Sequence, residues 1–231
     1  MLPSTSCHRV GHAARRVKRP SRPTALLENE YWMARASLEL YLIRSQRNSS
    51  VTPERPPMTV QYAIVAFPTL RSADLVEAVR SRFDPLAAVL KAHVTLVFPF
   101  SDSAMAPYLA DHITQAVAGL AAFDMSLTRP RIADAGYLFL TVAAGSQHFV
   151  NLHDRLYSGP LARHLSLTRT YEPHITIGRL PTADRLAAAA REATQTLTEP
   201  LLGRVDHVAV FRLDQPSHGS VAFTVPLASS A

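Results

Sequence analysis

Two short segments of the chain repeat one pattern: His93-Val94-Thr95-Leu96 and, 81 residues later, His174-Ile175-Thr176-Ile177. Each alternates polar and aliphatic residues with period two, the period of a strand that buries one face. Val94, Leu96, Ile175 and Ile177 then face a core, and each His shares the opposite face with its Thr. Composition alone yields about 0.04 such tetrads in a chain of this make-up, so a matched pair constrains fold and chemistry together.

The flanking residues follow one order twice. Residues 60–67 (VQYAIVAF) read as a strand ending at Pro68. Residues 72–83 carry apolar positions 75, 76, 79 and 83 at helical spacing, with Ser72 as N-cap and Asp84-Pro85 as the stop. The first motif strand spans 93–100, a helix at 106–120 closes near Gly119, and a strand at 123–132 is interrupted by Pro130. The order returns as a strand at 137–143, a helix at 146–157 ended by Gly159-Pro160, and the second motif strand at 174–179. A helix at 182–197 capped by Thr182 and strands at 205–213 and 220–227 complete the chain. Both halves, about 58–133 and 134–231, read β-α-β-α-β with the His-x-Thr strand second. The mixture of strands and helices with short links predicts an α+β fold of two similar lobes.

Charge divides the chain differently. Residues 1–57 hold ten basic and four acidic residues, whereas 58–231 hold 14 of each. The net charge of +6 therefore belongs to the leader, and a long duplex footprint on the folded part does not follow from it. The leader lacks the apolar h-region of a secretory signal, though its Arg-rich, acid-poor start fits a transit peptide. Leu27, Tyr31, Ala34, Leu38 and Tyr41 predict a helix over 26–43, and 48–57 (NSSVTPERPP) reads as a linker. Met58 opens the first strand pattern and is a candidate native start, with 1–57 expected to be either a poorly ordered leader or an over-extension of the gene. No apolar run reaches the roughly 18 residues of a membrane-spanning helix, so no membrane partner is expected; the expected location is cytoplasmic and the expected state a monomer.

Several chemistries lack their residues. The single Cys7 allows no disulfide framework, thiolate zinc cluster or Cys nucleophile in the folded part. Lys18 and Lys91 are the only lysines, and neither sits in a Walker A loop or a Lys-x-Asp-Gly adenylation site. No HExxH or carboxylate cluster supports a metal. We therefore expect no ATP, metal or other cofactor. What remains is the paired motif. Two imidazoles can divide acid and base roles near neutral pH, and two Thr hydroxyls can donate to phosphate oxygens as charge builds. Such a cradle suits in-line displacement at a phosphodiester.

The paired motifs, the openings YAIVAFP and HVTLVFPF, and YEPHITIGR resemble the two-histidine (2H) phosphoesterase superfamily, in its bacterial 2′-5′ RNA ligase-like branch. The resemblance covers roughly residues 60–227. It implies a bilobal fold, two pseudo-symmetric antiparallel sheets with helices packed outside and the active cleft between the lobes. It also implies ATP-independent hydrolysis of RNA 2′,3′-cyclic phosphate ends to 2′-phosphates, with reversible 2′-5′ ligation in some members. His93, Thr95, His174 and Thr176 match the family's catalytic positions. Lys91-Ala92 departs from the proline common before the first His, which alters the strand entry. The implied substrates are RNA ends or small cyclic nucleotides, ADP-ribose 1″,2″-cyclic phosphate among them; a non-catalytic RNA-end-binding module is the contrasting class.

Three further residues are candidates for substrate binding. Arg179 could meet phosphate, yet strict alternation sets it on the face opposite His174, where a carboxylate or solvent would be its partner. Tyr62 and Phe98 could stack a base at the rim or pack as apolar side chains. His148 and His153, five apart on a helix, are expected in solvent, as are His112, His164, His207 and His218.

Overall fold

The computed structural model describes residues 60–101, 106–168, 170–215 and 218–229, all within the compact unit Glu54–Ala231. The helix expected over 26–43 lies outside the described residues. Along the chain run β1 (Gln61–Ala66), β2 (Thr69–Leu70), α1 (Ala73–Phe83), β3 (Val94–Phe100), α2 (Leu109–Val117), β4 (Phe123–Leu127), β5 (Arg131–Ala133) and β6 (Tyr137–Thr141). There follow α3 (Ser146–Leu156), β7 (His174–Arg179), α4 (Ala183–Thr196), β8 (Leu201–Val205), β9 (His207–Gln215) and β10 (His218–Pro226). The strands and helices expected within residues 60–227 are thus present. Pro130 separates two strands that join different sheets, and β2 and β8 were not visible in the sequence pattern.

Strand order explains where the motifs meet. Seven strands pair as β10-β9-β1-β3-β7-β6-β5, and β2-β8-β4 form a small second sheet; every pairing between these strands is antiparallel. At the middle of the larger sheet, β3 and β7 share a single register pair, Val94 opposite Ile175. That sheet is therefore two antiparallel wings, β10-β9-β1-β3 and β7-β6-β5, hinged at one seam. Both motif strands lie on the seam.

The wings are not the two sequence halves. Strands β9 and β10, late in the chain, pair with each other and with β1. The helices are exchanged as well: α1 and α4 pack on the β7 wing, whereas α2 and α3 pack on the β3 wing. In both halves a motif strand lies between two helices, but each wing with its helices draws on both halves. Covering each apolar sheet face this way buries one continuous core in which Ile64, Val94, Leu96, Leu140, Ile175 and Ile177 are fully enclosed. Each such side chain contributes about 1.5–3 kcal/mol relative to exposure.

Among the described α-helices only α4 starts on a side-chain cap bond. Thr182 Oγ1 accepts from the Arg185 amide at 3.4 Å and caps α4. Asp84 ends α1, its amide donating to the Arg80 carbonyl, and Pro85 prevents continuation. Ser72 makes no side-chain cap bond; Asp74 in the first turn supplies the negative charge that the helix start favours.

Candidate active site

The tetrad is assembled by alternation and register. His93, Thr95, His174 and Thr176 are half-buried, while Val94, Leu96, Ile175 and Ile177 between and after them are buried. Both strands therefore turn aliphatic residues to the core and His and Thr to the other face. Continuing the Val94–Ile175 register by one residue sets His93 across from Thr176 and Thr95 across from His174. Each His thus neighbours its own Thr along the strand and the other motif's Thr across the seam.

Immediately after each Thr the strand carries an extra residue. Along β3 against β1, Thr95 faces Val65 and Val97 faces Ile64, leaving Leu96 unopposed. Along β7 against β6, Thr176 faces Phe139 and Gly178 faces Leu138, leaving Ile177 unopposed. A bulge of this kind re-aims the side chains beyond it. Val97 sides with Ile64 in the core, so half-buried Phe98 returns to the tetrad face. Arg179 returns likewise: it faces Tyr137, its guanidinium lies 5.3 Å from that ring, and Tyr137 and Phe139 share a face with Thr176. The expectation that alternation turns Arg179 away from His174 is thereby corrected. Phe98 and Arg179 occupy equivalent places, five residues after their histidines.

Tyr62 is not brought to the tetrad. It faces Phe100, with ring centres 6.2 Å apart, and packs on the main core. His153 is also corrected from solvent to interior. It is 7% exposed, and its ring stacks on Tyr171 at 3.9 Å. His112 is half-buried with Nε2 2.8 Å from the Leu156 carbonyl, and half-buried His164 lies 5.0 Å from the Phe100 ring.

The imidazoles are oriented alike. His93 Nδ1 lies 2.7 Å from the Lys91 carbonyl, and His174 Nδ1 lies 2.7 Å from the Glu172 carbonyl. A carbonyl only accepts, so Nδ1 carries the hydrogen in each ring, and the neutral ring presents an unprotonated Nε2. Burial lowers the pKa of His93 to about 4, against the Lys91 carbonyl bond; Arg80 and His174 lower it further and Asp84 opposes them. Burial also lowers His174, but the Glu172 carbonyl and carboxylate pull upward, and Arg131 pulls down. Glu172 is paired with Arg131 at 2.5 Å. Ring neighbours differ as well: Phe139 stacks on His174 at 3.7 Å, whereas Phe67 presents to His93 at 6.3 Å, edge to face.

Two residues that the sequence pattern did not single out support the motifs from behind. The Tyr171 hydroxyl donates to the Thr95 carbonyl at 2.9 Å, and Arg80 Nε donates to the Thr176 carbonyl at 3.2 Å. Where the short β3–β7 ladder ends, these side chains take over its hydrogen bonding. Arg80 had a readable signal: a cation on the stripe of Val76, Val79 and Phe83, with Glu77 three residues before and Asp84 four after. Among the described residues no group of three or more His, Cys, Asp or Glu could hold a metal ion.

Comparison with known proteins supplies relatives for this arrangement. A family model described as the 2′-5′ RNA ligase superfamily matches residues 67–216. A protein of Geobacillus kaustophilus (strain HTA426), named as a candidate phosphoesterase, is 30% identical over 129 residues, which is 54% of this chain and 73% of that one. A similarly named Bacillus licheniformis protein is 25% identical over 122 residues, 52% of this chain and 71% of that one. Among solved structures, Escherichia coli LigT in apo form superposes with TM-score 0.51 at 17% identity, covering 74% of this chain and 99% of that one. LigT complexed with 3′-AMP gives 0.50 at 18% identity, with 74% and 98% covered.

Proposed function

Because this chain belongs to the 2′-5′ RNA ligase superfamily of 2H phosphoesterases, we propose that it hydrolyses 2′,3′-cyclic phosphate ends of RNA or nucleotides to 2′-phosphates. The observation that carries the proposal is the Val94–Ile175 register, which puts two His/Thr pairs on one face across a seam. His93, held neutral by its lowered pKa, takes a proton from water at Nε2 as the water oxygen attacks phosphorus. The P–O3′ bond breaks, and His174, beside the Glu172 carboxylate, returns a proton to O3′. Thr95 and Thr176 hydroxyls donate to the non-bridging oxygens, whose charge grows in the transition state. A 5′-hydroxyl in place of water gives a 2′-5′ linkage with a free 3′-hydroxyl, the ligase direction. On this reading Arg179 pairs with phosphate and Phe98 stacks the terminal base. LigT complexed with 3′-AMP makes a nucleotide the first ligand to try.

A second reading, a cyclic phosphodiesterase of small nucleotides such as ADP-ribose 1″,2″-cyclic phosphate, is favoured by the zero net charge of residues 58–231. The full chain and a 58–231 truncation, each without ATP and with EDTA, are to be given 2′,3′-cyclic AMP, a cyclic-phosphate-ended oligonucleotide and the ADP-ribose compound. We expect 2′-phosphate products from both proteins. Turnover of the ADP-ribose compound alone would move the assignment to the second reading. Binding without turnover would make the chain an RNA-end-binding module. Activity lost to EDTA and restored by zinc or manganese would reassign His93 and His174 as ligands.

A further inference from the structure

The largest side chain that is wholly enclosed in the described structure is charged, and no step of the proposed reaction uses it. Arg80, on α1, has 0% exposure. Its Nη1 donates to the Glu77 carboxylate at 2.9 and 3.2 Å. Its Nη2 donates to Asp84 Oδ2 at 2.7 Å and to the Leu90 carbonyl at 2.8 Å. Its Nε is shared between Asp84 Oδ2 at 3.1 Å and the Thr176 carbonyl at 3.2 Å. The same Glu77 carboxylate accepts from the Ala92 amide at 2.6 Å, and Asp84 Oδ1 accepts from the Leu86 amide at 3.0 Å.

Such a group is costly to bury. Desolvating one cation and the carboxylates around it offsets much of their attraction, so a buried cluster of this kind is weak evidence for stability in itself. The backbone atoms it holds say more. Leu90 and Ala92 belong to the segment that delivers His93 to the seam, and Thr176 belongs to the other motif. The backbone also admits the helix closely: a Cβ on Gly178, the residue after the β7 bulge, would stand 3.1 Å from the Phe83 Cβ on α1. Helix α1 is thereby seated on β7 near enough for a fork of donors to reach both motifs.

We propose that Arg80 is a positioning residue of the reaction: with Glu77 and Asp84 it fastens the entry of the first motif to the Thr176 backbone and so fixes how the two imidazoles face one substrate. The inference rests on the phosphoesterase reading for its kinetic readout, but not for its structural one. The charged groups that act on His93 are Arg80 and Asp84 from the α1 side and His174 from β7, with the Lys91 carbonyl on its own approach. Arg80 thus also helps to keep His93 unprotonated. Removing the guanidinium leaves Asp84 uncompensated, and the His93 pKa should rise.

The test uses the full chain with Arg80→Met, Arg80→Lys and Glu77→Ala, each checked for folding by circular dichroism. Ring-proton NMR titration follows His93 and His174, and 2′,3′-cyclic AMP turnover gives kcat and KM. A misplacement of about 1 Å can cost about 10²-fold in rate. We expect Arg80→Met to lose about that in kcat with KM changed less than threefold, and to titrate His93 at higher pH. Arg80→Lys keeps the cation but not the fork, so it should restore the His93 titration and leave kcat at least tenfold low. Should Arg80→Met not fold, Glu77→Ala decides: it releases the Ala92 amide and the Arg80 Nη1 bonds, leaves Arg80 on Asp84, Leu90 and Thr176, and should lower kcat about tenfold at constant KM. Folded variants with wild-type kcat and an unmoved His93 titration would overturn the proposal. If the wild type turns over no cyclic phosphate, the phosphoesterase reading fails, and the His93 titration in Arg80→Met still decides this inference.

Discussion

The two wings carry one scaffold in two environments. Each presents a His and a Thr on one face, ties His Nδ1 to the carbonyl two residues back at 2.7 Å, and bulges directly after the Thr. Around that common frame everything differs. The charges acting on His93 include the buried Arg80–Asp84 pair, whose Arg80 also holds the Thr176 carbonyl; a ring edge from Phe67 and an aromatic residue, Phe98, beyond its bulge complete the first motif's surroundings. The second has the Glu172–Arg131 pair, a stacked Phe139 and a cation, Arg179. On the proposed mechanism, this difference is what separates proton acceptor from proton donor, and base from phosphate. Geometry is shared, and ionisation and contact are not.

Breaking the comparison outright means removing either imidazole. His93→Ala and His174→Ala should each lower kcat by about 10²–10⁴-fold, the usual worth of a positioned acid or base. The pH profiles separate them. Both rings have lowered pKa values, His93 to about 4, so in the free enzyme kcat/KM should peak on the acid side of neutrality. The rate rises with pH as the base loses its proton and falls as the acid does. The two limbs belong to the coupled pair. His93→Ala should abolish the rising limb and His174→Ala the falling one; the reverse outcome would exchange their roles.

The threonines should behave as equals, because register places each across from the opposite histidine. Thr95→Val and Thr176→Val remove one donor apiece, and each should cost up to about 10²–10³-fold in kcat if it serves a developing oxyanion. A loss confined to one of them, measured under saturating 2′,3′-cyclic AMP, would mean that only one wing holds the phosphoryl oxygens.

Much of this frame is legible without a structure. Period-two alternation in HVTL and HITI gives the face of each histidine, and the bounds of β7 follow from its sequence alone. Arg179 shows where that reasoning stops. A single unopposed Ile177 reverses every face beyond it, and nothing in the alternation of one strand reveals what the neighbouring strand skips. The strand β8 fails for a related reason. Its Gly203 looks like a breaker, yet a Cβ there would lie 3.2 Å from the Thr69 carbonyl oxygen and 2.7 Å from the Leu70 Cδ2, so close approach of β2 suits a glycine. The partnership of β1 with β9 joins residues about 150 positions apart and leaves no local trace. Arg80 lay in view as a cation on an apolar helix stripe, but only the fold shows that both motifs end on it.

Sharpening the comparison beyond chemistry turns on the side chains after the bulges. Arg179→Gln should raise KM for a cyclic phosphate by about 10–10²-fold, since a charge-assisted bond is worth about 1.5–3 kcal/mol. Phe98→Leu should raise KM by about tenfold, in keeping with the roughly 1–3 kcal/mol of base stacking, and only for substrates that carry a base. A substrate series with and without the base, assayed on both variants, checks the division. Equal losses on both substrates with both variants would remove the polarity assigned to the seam.

The smallest effect expected is the most specific about the frame. Tyr171 holds the Thr95 carbonyl at 2.9 Å, as Arg80 holds that of Thr176, but it does so as a neutral ring stacked on His153. Burial and the nearby Tyr157 and Asp154 raise its pKa, so the hydroxyl stays a donor throughout the working range. Tyr171→Phe keeps the stack and deletes one hydrogen bond, leaving the Thr95 carbonyl to find another donor. The cost should be about 0.5–1.5 kcal/mol in urea unfolding, with kcat reduced less than tenfold. The His93 titration should not move, because no charge has been removed. If Tyr171→Phe shifted that titration as far as Arg80→Met, the two supports would be electrostatically alike, and the contrast drawn between the wings would reduce to geometry.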